Sequence, residues 1–250
     1  MFIEQLKIEF KVYLRQPLYL VFSILMPLIS FAIFGNIYGG LTYGNNDFFS
    51  QYIPSFCVLI LFASSVYNVG NQLVGDKEKG IYRRLMVTPV KLWKIIVVLV
   101  LKSAIVAMIS YFLVMILATT QFKVKIPNFF IFTVMYFVTV LYSLVLGVGL
   151  GIIINRLNTY SGVLMVSFIP LFVLSDAMMP ITMFPKWMQT LAEYNPLYRL
   201  NVFLRSFWNL SSIHSTKNLI MSCIYLVLFM TVFLFIVAIR WRQGKLFSEQ

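Results

Sequence analysis

An all-α integral membrane protein is the fold class that three observations in this 250-residue chain predict. Hydrophobic residues make up 60% of it and charged residues only 11%. The mean hydropathy is +0.88. Apolar stretches of about 20 residues, enough for a helix to cross a bilayer, recur along the chain. In lipid a helix satisfies its own backbone, so such stretches read as transmembrane helices. Six are expected. One or two soluble domains, which the length alone would allow, are excluded by the composition.

The elements follow in order. Residues 1–16 form an amphipathic helix. Phe2, Leu6 and Phe10 recur at i, i+4, and Lys7, Lys11 and Arg15 do so on another face. A helix of this kind lies in the headgroup plane with its apolar side down. The first span runs from about Leu18 to Tyr38 and contains Pro27, a kink that neighbouring helices can re-satisfy. A piece rich in Gly and Asn follows, GGLTYGNNDFFS, and reads as turns. The second span is about Gln51 to Gly75, with Pro54 near its start. The third is about Leu92 to Thr120, and the fourth about Asn128 to Asn155. A polar turn, NRLNTYS, leads to the fifth, about Gly162 to Ser175. Residues 176–217 are too long for a turn and too apolar for a free loop. Pro180, Pro185 and Pro196 divide them, so residues 186–194 and 197–209 form two short helices. Neither is long enough to cross. They read as interfacial or re-entrant helices on the outer face. The sixth span is about Leu219 to Ile239.

Lysine and arginine placement sets the orientation. With both termini cytoplasmic, thirteen basic residues lie inside: Lys7, Lys11 and Arg15, then the six from Lys77 to Lys94, Arg156, and Arg240, Arg242 and Lys245. Six lie outside: Lys123, Lys125, Lys186, Arg199, Arg205 and Lys217. The net charge of +12 is therefore read as basic residues beside anionic lipid headgroups. It does not form a continuous groove for nucleic acid. The charged N-terminus lacks a small-residue cleavage site, so the first span is expected to be retained. Cys57 and Cys223 both lie in apolar runs and His214 in a polar turn, which gives no metal spacing and no disulfide framework.

The stretch GDKEKGIYRRLMVTPV, Gly75 to Val90, puts six charges between Asp76 and Arg84. It opens G-x-x-x-x-G, half of a phosphate-binding loop, but Ile81 and Tyr82 stand where Lys and Ser or Thr are required. No nucleotide site is read there. Ile81, Leu85 and Met86 fall at i, i+4, i+5, and Thr88-Pro89 ends the helix, since the residue before proline is pushed away from helical backbone. The loop 76–90 thus holds a short helix with an apolar ridge and a basic rim, suited to a partner's groove.

These residues resemble a known family. Glu78-Lys79-Gly80, the hydrophobic-basic helix and Thr88-Pro89 are similar to the coupling-helix segment of ABC-2 type transporter permeases. The six-span layout, the N-terminal amphipathic helix, Pro185-x-Trp187, and Asn195-Pro196-Leu197 before Arg205 are similar too, across nearly the whole chain. Ile81 departs from the pattern, where Thr commonly follows the Gly. The resemblance implies a single transmembrane domain over residues 1–250 in the bacterial cytoplasmic membrane, not itself an enzyme, that binds no cofactor of its own. ATP and Mg would sit in a separate nucleotide-binding ATPase subunit, present in two copies, beside a second permease copy in a homodimer. Glu78, Gly80, Ile81, Tyr82, Arg83, Arg84, Leu85, Thr88 and Pro89 would dock the ATPase. Trp187, Asn195, Pro196 and Arg205 would belong to the translocation path or outer gate. The expected cargo is hydrophobic or amphipathic: a drug, a lipid-linked molecule or a membrane-active peptide. The small Gram-positive exporters of antimicrobials and peptide toxins, the phenol-soluble modulin type, are similar in size.

Lys102 lies inside the third span, where a charge is a functional candidate by default. It has three readings: snorkelling to the interface, a structural ion pair, or a place in the path. Gly35-x-x-x-Gly39 and Gly147-x-x-x-Gly151 allow close helix approach, within the chain or at a dimer seam. The alternative to an ABC permease is a stand-alone channel or ion-coupled transporter, which would want mid-span carboxylates. None of the eight acids is clearly mid-span.

Overall fold

The computed structural model describes residues 2–15, 17–40, 42–43, 46–86, 92–176, 181–208 and 216–242. Ten α-helical elements and one 3₁₀ turn, Ile181–Met183, carry most of these residues. The ten are α1 (Phe2–Leu14), α2 (Pro17–Leu20, Val21–Leu25 and Met26–Tyr38 in unbroken succession), α3 (Phe48–Glu78) and α4 (Ile81–Met86). Then come α5 (Leu92–Thr120), α6 (Phe129–Ile153), α7 (Leu157–Val173), α8 (Lys186–Glu193), α9 (Pro196–Trp208) and α10 (Thr216–Arg242). A two-residue antiparallel pair, Thr42–Tyr43 with Asn46–Asp47, closes the turn between α2 and α3.

Four described helices are long and apolar enough to cross a membrane: Phe48–Glu78, Trp93–Thr120, Phe129–Ile153 and Lys217–Arg240. Ser23–Tyr38 and Leu157–Val173 are apolar but shorter. The chain is a multi-pass membrane protein. The expected short helices at 186–194 and 197–209 are present as α8 and α9.

Helix α3 is the hub. Of its most apolar window 76% is buried, against 17% for α10, so α3 is surrounded by protein while α10 turns most of its surface outward. It packs on α6, α7 and α9. Both Gly-x-x-x-Gly pairs pack within the chain. A Cβ on Gly147 would come within 2.7 Å of the Ser65 carbonyl oxygen, so the α3 and α6 backbones touch there. A Cβ on Gly151 would meet Leu73 at 2.6 Å, and one on Gly35 would meet the Phe122 ring at 2.5 Å.

Two π-helical turns interrupt the helices, Val21–Leu25 in α2 and Phe62–Tyr67 in α3. Each has a neighbour that takes up a carbonyl. Pro27 has no N–H to offer the Ser23 carbonyl four residues back, and Ser110 Oγ of α5 donates to that oxygen at 2.7 Å. In α3 the Val66 carbonyl accepts the Tyr160 hydroxyl of α7 at 2.7 Å.

Two expectations from sequence are corrected. The stretch 155–161 is not a turn before a span at Gly162; α7 begins at Leu157. Its polar residues tolerate burial because they are paired across to α3, Tyr160 with Val66 and Ser161 with Asn71 Oδ1 at 2.9 Å. The second span likewise does not stop at Gly75. Asp76, Lys77 and Glu78 form its last turn, so the charged loop is shorter than it reads.

Candidate functional site

The functional residues expected from the sequence fall into two groups, one at each end of α3. At the Glu78 end, Gly80 adopts φ +67, a left-handed conformation that suits glycine, and turns the chain from α3 into α4. The two faces of α4 differ. Tyr82 is only 5% exposed and joins the chain's own core, within electrostatic reach of Asp76 and Glu9. Burial, with those carboxylates second, pushes its phenol above the ordinary range, so the hydroxyl stays neutral. Tyr82 therefore anchors α4 to the bundle. Arg84 is exposed and its guanidinium returns to the Lys79 carbonyl at 3.2 Å, while Ile81 is half-buried. Arg83 and Leu85 lie within α4, but their side chains are outside the described residues, as are Thr88 and Pro89 altogether. Glu78 turns back onto the chain: its carboxylate accepts the Leu157 amide at 3.0 Å.

Lys102 lies in the same half of the molecule. It is 2% exposed. Its ammonium donates to Glu9 Oε2 of α1 at 3.0 Å and to Gln72 Oε1 of α3. Gln72 donates its amide to the same Glu9 oxygen at 3.0 Å, and the Tyr13 ring lies 5.6 Å from the ammonium. Tyr13 is hydrogen-bonded to Ser23 of α2. The geometry is that of an ion pair closed by an amide and an aromatic face, joining α1, α3 and α5. Sequence reasoning missed Glu9 and Gln72. The available signal was a carboxylate at i, i+4 with Tyr13, off the basic stripe of a helix whose other acid, Glu4, has Lys7 three residues on.

At the Phe48 end the centre is Arg205 of α9. Its guanidinium pairs with Asp176, donates to the Asp176 carbonyl at 2.6 Å, and donates to Ser55 Oγ of α3 at 2.8 Å. Ser55 in turn donates to Asn201 Oδ1 at 3.2 Å, and Asn201 donates to the Ser175 carbonyl at 2.9 Å. Asp176 has φ +61, and its carboxylate accepts the Ile181 amide at 2.6 Å. Asn195 and Pro196 start α9 together. The Asn195 side chain accepts the Leu197 amide at 2.9 Å and proline occupies the first helical position, where no N–H is needed. Asn195 also donates to the Leu171 carbonyl at 2.6 Å, which ties α9 to α7. Trp187 stands apart on α8, 64% exposed. Arg199 was not expected as a site residue; it is 9% exposed and donates to the Glu193 carbonyl at 2.7 Å.

Arg205 is thus brought together with Asp176 and Ser55, Asn195 and Pro196 stand at the other end of α9 against α7, and Glu78, Gly80 and Tyr82 lie together at the opposite end of α3. No group of three His, Cys, Asp or Glu that could hold a metal ion occurs among the described residues.

A family model described as "ABC-2 type transporter" matches residues 2–208. A protein of Cyanophora paradoxa named as a transport permease, ycf38, is 26% identical over 194 residues, which are 73% of this chain and 65% of that protein. YbhR of Escherichia coli K12, named as a multidrug ABC transporter permease, is 27% identical over 158 residues, 61% of this chain and 42% of that protein. The chain therefore covers less than two thirds of the length of these relatives.

Proposed function

Because this chain belongs to the ABC-2 type transporter family, we propose that it is the permease subunit of an ATP-driven exporter in the bacterial cytoplasmic membrane. It crosses the bilayer six times, with α2 and α7 as the shorter crossings and both termini in the cytoplasm. Two copies form a homodimer with two separate ATPase subunits, which hold the ATP and Mg. The cargo is hydrophobic or amphipathic, in keeping with the multidrug name carried by the Escherichia coli relative.

The observation that carries this reading is α4. It is a single short helix set beyond the last turn of the most buried span, joined to it through Gly80, and held by Tyr82 while Arg84 faces out. A helix so placed is a lever. Force on its exposed face reaches α3 through two residues of turn, and α3 touches α2, α5, α6, α7 and α9. Docking of the partner falls to Ile81, Arg83, Arg84, Leu85, Thr88 and Pro89, with Tyr82 as the anchor on the other side. At the far end the re-entrant pair α8 and α9 forms the outer gate. Asn195 and Pro196 fix its entry angle, Arg205 latches it, and Trp187 is its exposed aromatic. Lys102 braces the lever and stays out of the cargo path.

The test is co-purification followed by reconstitution. The tagged permease should retain a Walker-motif ATPase, and proteoliposomes holding both should move an amphipathic dye only with ATP and Mg. Arg84→Glu should weaken retention of the ATPase. Transport at full rate by the permease alone would favour the channel or ion-coupled alternative and end the ABC reading.

A further inference from the structure

We infer that Lys77 and Glu78 form a clamp that makes the turn between α6 and α7 move with α4. The inference rests on the proposal that α4 receives a partner's motion, and it concerns where that motion goes next.

The clamp is built from two adjacent residues on the last turn of α3. Lys77 donates to the Ile152 carbonyl at 3.1 Å and to Asn155 Oδ1 at 2.5 Å. Ile152 lies in the final turn of α6, whose last carbonyls have no partner within the helix. Glu78 accepts the amide of Leu157, the first residue of α7, at 3.0 Å. A cation thus sits on the negative end of one helix dipole and an anion on the positive end of the next. The two ends are joined by a turn of three residues, 154–156.

The local sequence makes the clamp necessary. Arg156 occupies the N-cap position of α7 and makes no side-chain capping bond. A cation is the wrong group there, because it cannot accept from the free amides and it opposes the dipole. Asn155, the other candidate cap, is held by Lys77. Capping of α7 is therefore delegated to α3. Two further bonds extend the grip along α7, Tyr160 to the Val66 carbonyl at 2.7 Å and Ser161 to Asn71 at 2.9 Å. A Cβ on Gly70 would fall 1.7 Å from the Tyr160 hydroxyl, so no side chain separates the helices there. The joint in this assembly is Gly80, two residues beyond Glu78. A tilt of α4 about Gly80 pulls on Glu78, and Glu78 is attached to α7. Lys77 and Glu78 are positioning residues, and Glu78 is not a docking residue.

The experiment uses the full chain in lipid nanodiscs. Spin labels are placed at Arg84→Cys and Arg156→Cys, both exposed, with the half-exposed Cys223 replaced by Ser. Electron–electron distance measurement should give one narrow distribution. Lys77→Met/Glu78→Ala should at least double its width, and Glu78→Gln, which keeps an acceptor for the Leu157 amide, should leave it narrower than Glu78→Ala does. Hydrogen exchange over residues 155–160 should rise about five-fold in Glu78→Ala, the size of one lost helix cap, with no change over 129–150. Unchanged width and unchanged exchange would overturn the clamp. Neither readout needs a partner, so failure of the ABC reading is scored separately. When the ATPase is reconstituted with it, Glu78→Ala should keep ATPase binding and lose at least four-fifths of transport. Loss of ATPase binding in the same proportion would make Glu78 a docking residue and overturn its positioning role.

Discussion

Lys102 and Arg205 each carry a positive charge into the bundle. Their partners on α3, Gln72 and Ser55, are 17 residues apart, about 25 Å along a helix. The two sites solve the same problem with different side chains. Lys102 is a point charge bonded to one carboxylate and one amide beside a ring, with Asp76 within electrostatic reach, and its bonded carboxylate, Glu9, is still 30% exposed. Arg205 is a planar fork that spans Asp176, the Asp176 carbonyl and Ser55 at once, and its carboxylate is only 13% exposed. Among the described residues its Nε is buried without a partner, so the fork is held by its two ends. The comparison teaches that the two ends resist motion unequally. The α9 latch must break several directed bonds to open, whereas the α1 brace can exchange a carboxylate for water.

The largest expected effect is at Arg205. Replacing it by Leu strands Asp176 in a nearly buried position and should cost about 3–5 kcal/mol, the range for breaking a buried pair. Arg205→Lys should recover little, because an ammonium cannot reach both Asp176 and Ser55 in fork geometry. Thermal unfolding in detergent checks both. If Lys restores wild-type stability, the latch is a simple charge pair and the contrast with Lys102 disappears.

Lys102→Met should cost less, about 2 kcal/mol, since Glu9 retains access to water. The double variant Lys102→Met/Glu9→Gln should recover about half of that loss. A double-mutant cycle on unfolding free energies gives the coupling directly. A cost equal to that of Arg205→Leu would show that the α1 brace is as dry as the α9 latch.

Hydrogen bonds without charge rank next. Tyr160→Phe removes the donor to the Val66 carbonyl in the π turn and leaves that oxygen buried. Asn195→Ala removes the cap of α9 and the bond to Leu171. Each should cost about 1–2 kcal/mol. Their functional effects should differ. Tyr160→Phe loosens α3 from α7 near α4 and should lower transport per ATP hydrolysed, while Asn195→Ala should leave that ratio unchanged and raise passive leak of the dye.

Much of this frame was legible in the sequence, and the reason is physical. Apolar length fixes a span, proline and Asn-Pro fix helix starts, and periodicity fixes α1, so α8 and α9 fall within two residues of their expected bounds. The beginning of α7 was not legible. Asn158, Thr159, Tyr160 and Ser161 look like turn residues, and the α3 partners of Tyr160 and Ser161, 94 and 90 residues away in the chain, hold this stretch in the helix. The partners of Lys102 and Arg205 were hidden for the same reason. A lysine in a span announces a missing anion but not which of the acids supplies it. Lys77 and Glu78 read as loop charge because their value comes from the ends of α6 and α7, which no local pattern contains.

The smallest effect tests whether burial, and not the presence of a salt bridge, makes the Lys102 site matter. On the same helix as Glu9, Lys7 donates to Glu4 at 3.2 Å, with the two side chains 68% and 66% exposed. In water such a pair gains little Coulomb energy and loses side-chain freedom. Lys7→Ala should therefore change the unfolding free energy by less than about 0.5 kcal/mol. The loss at Lys102 should exceed it several-fold although both lysines bond a glutamate of α1. Salt separates the two further: exposed charges are screened over about 10 Å at 0.1 M ionic strength, and buried ones much less. Raising salt from low to molar concentration should erase what remains of the Lys7 effect and leave most of the Lys102 effect. Equal salt sensitivity at the two positions would mean that water reaches the Glu9–Lys102 pair and that α1 is held by its apolar stripe alone.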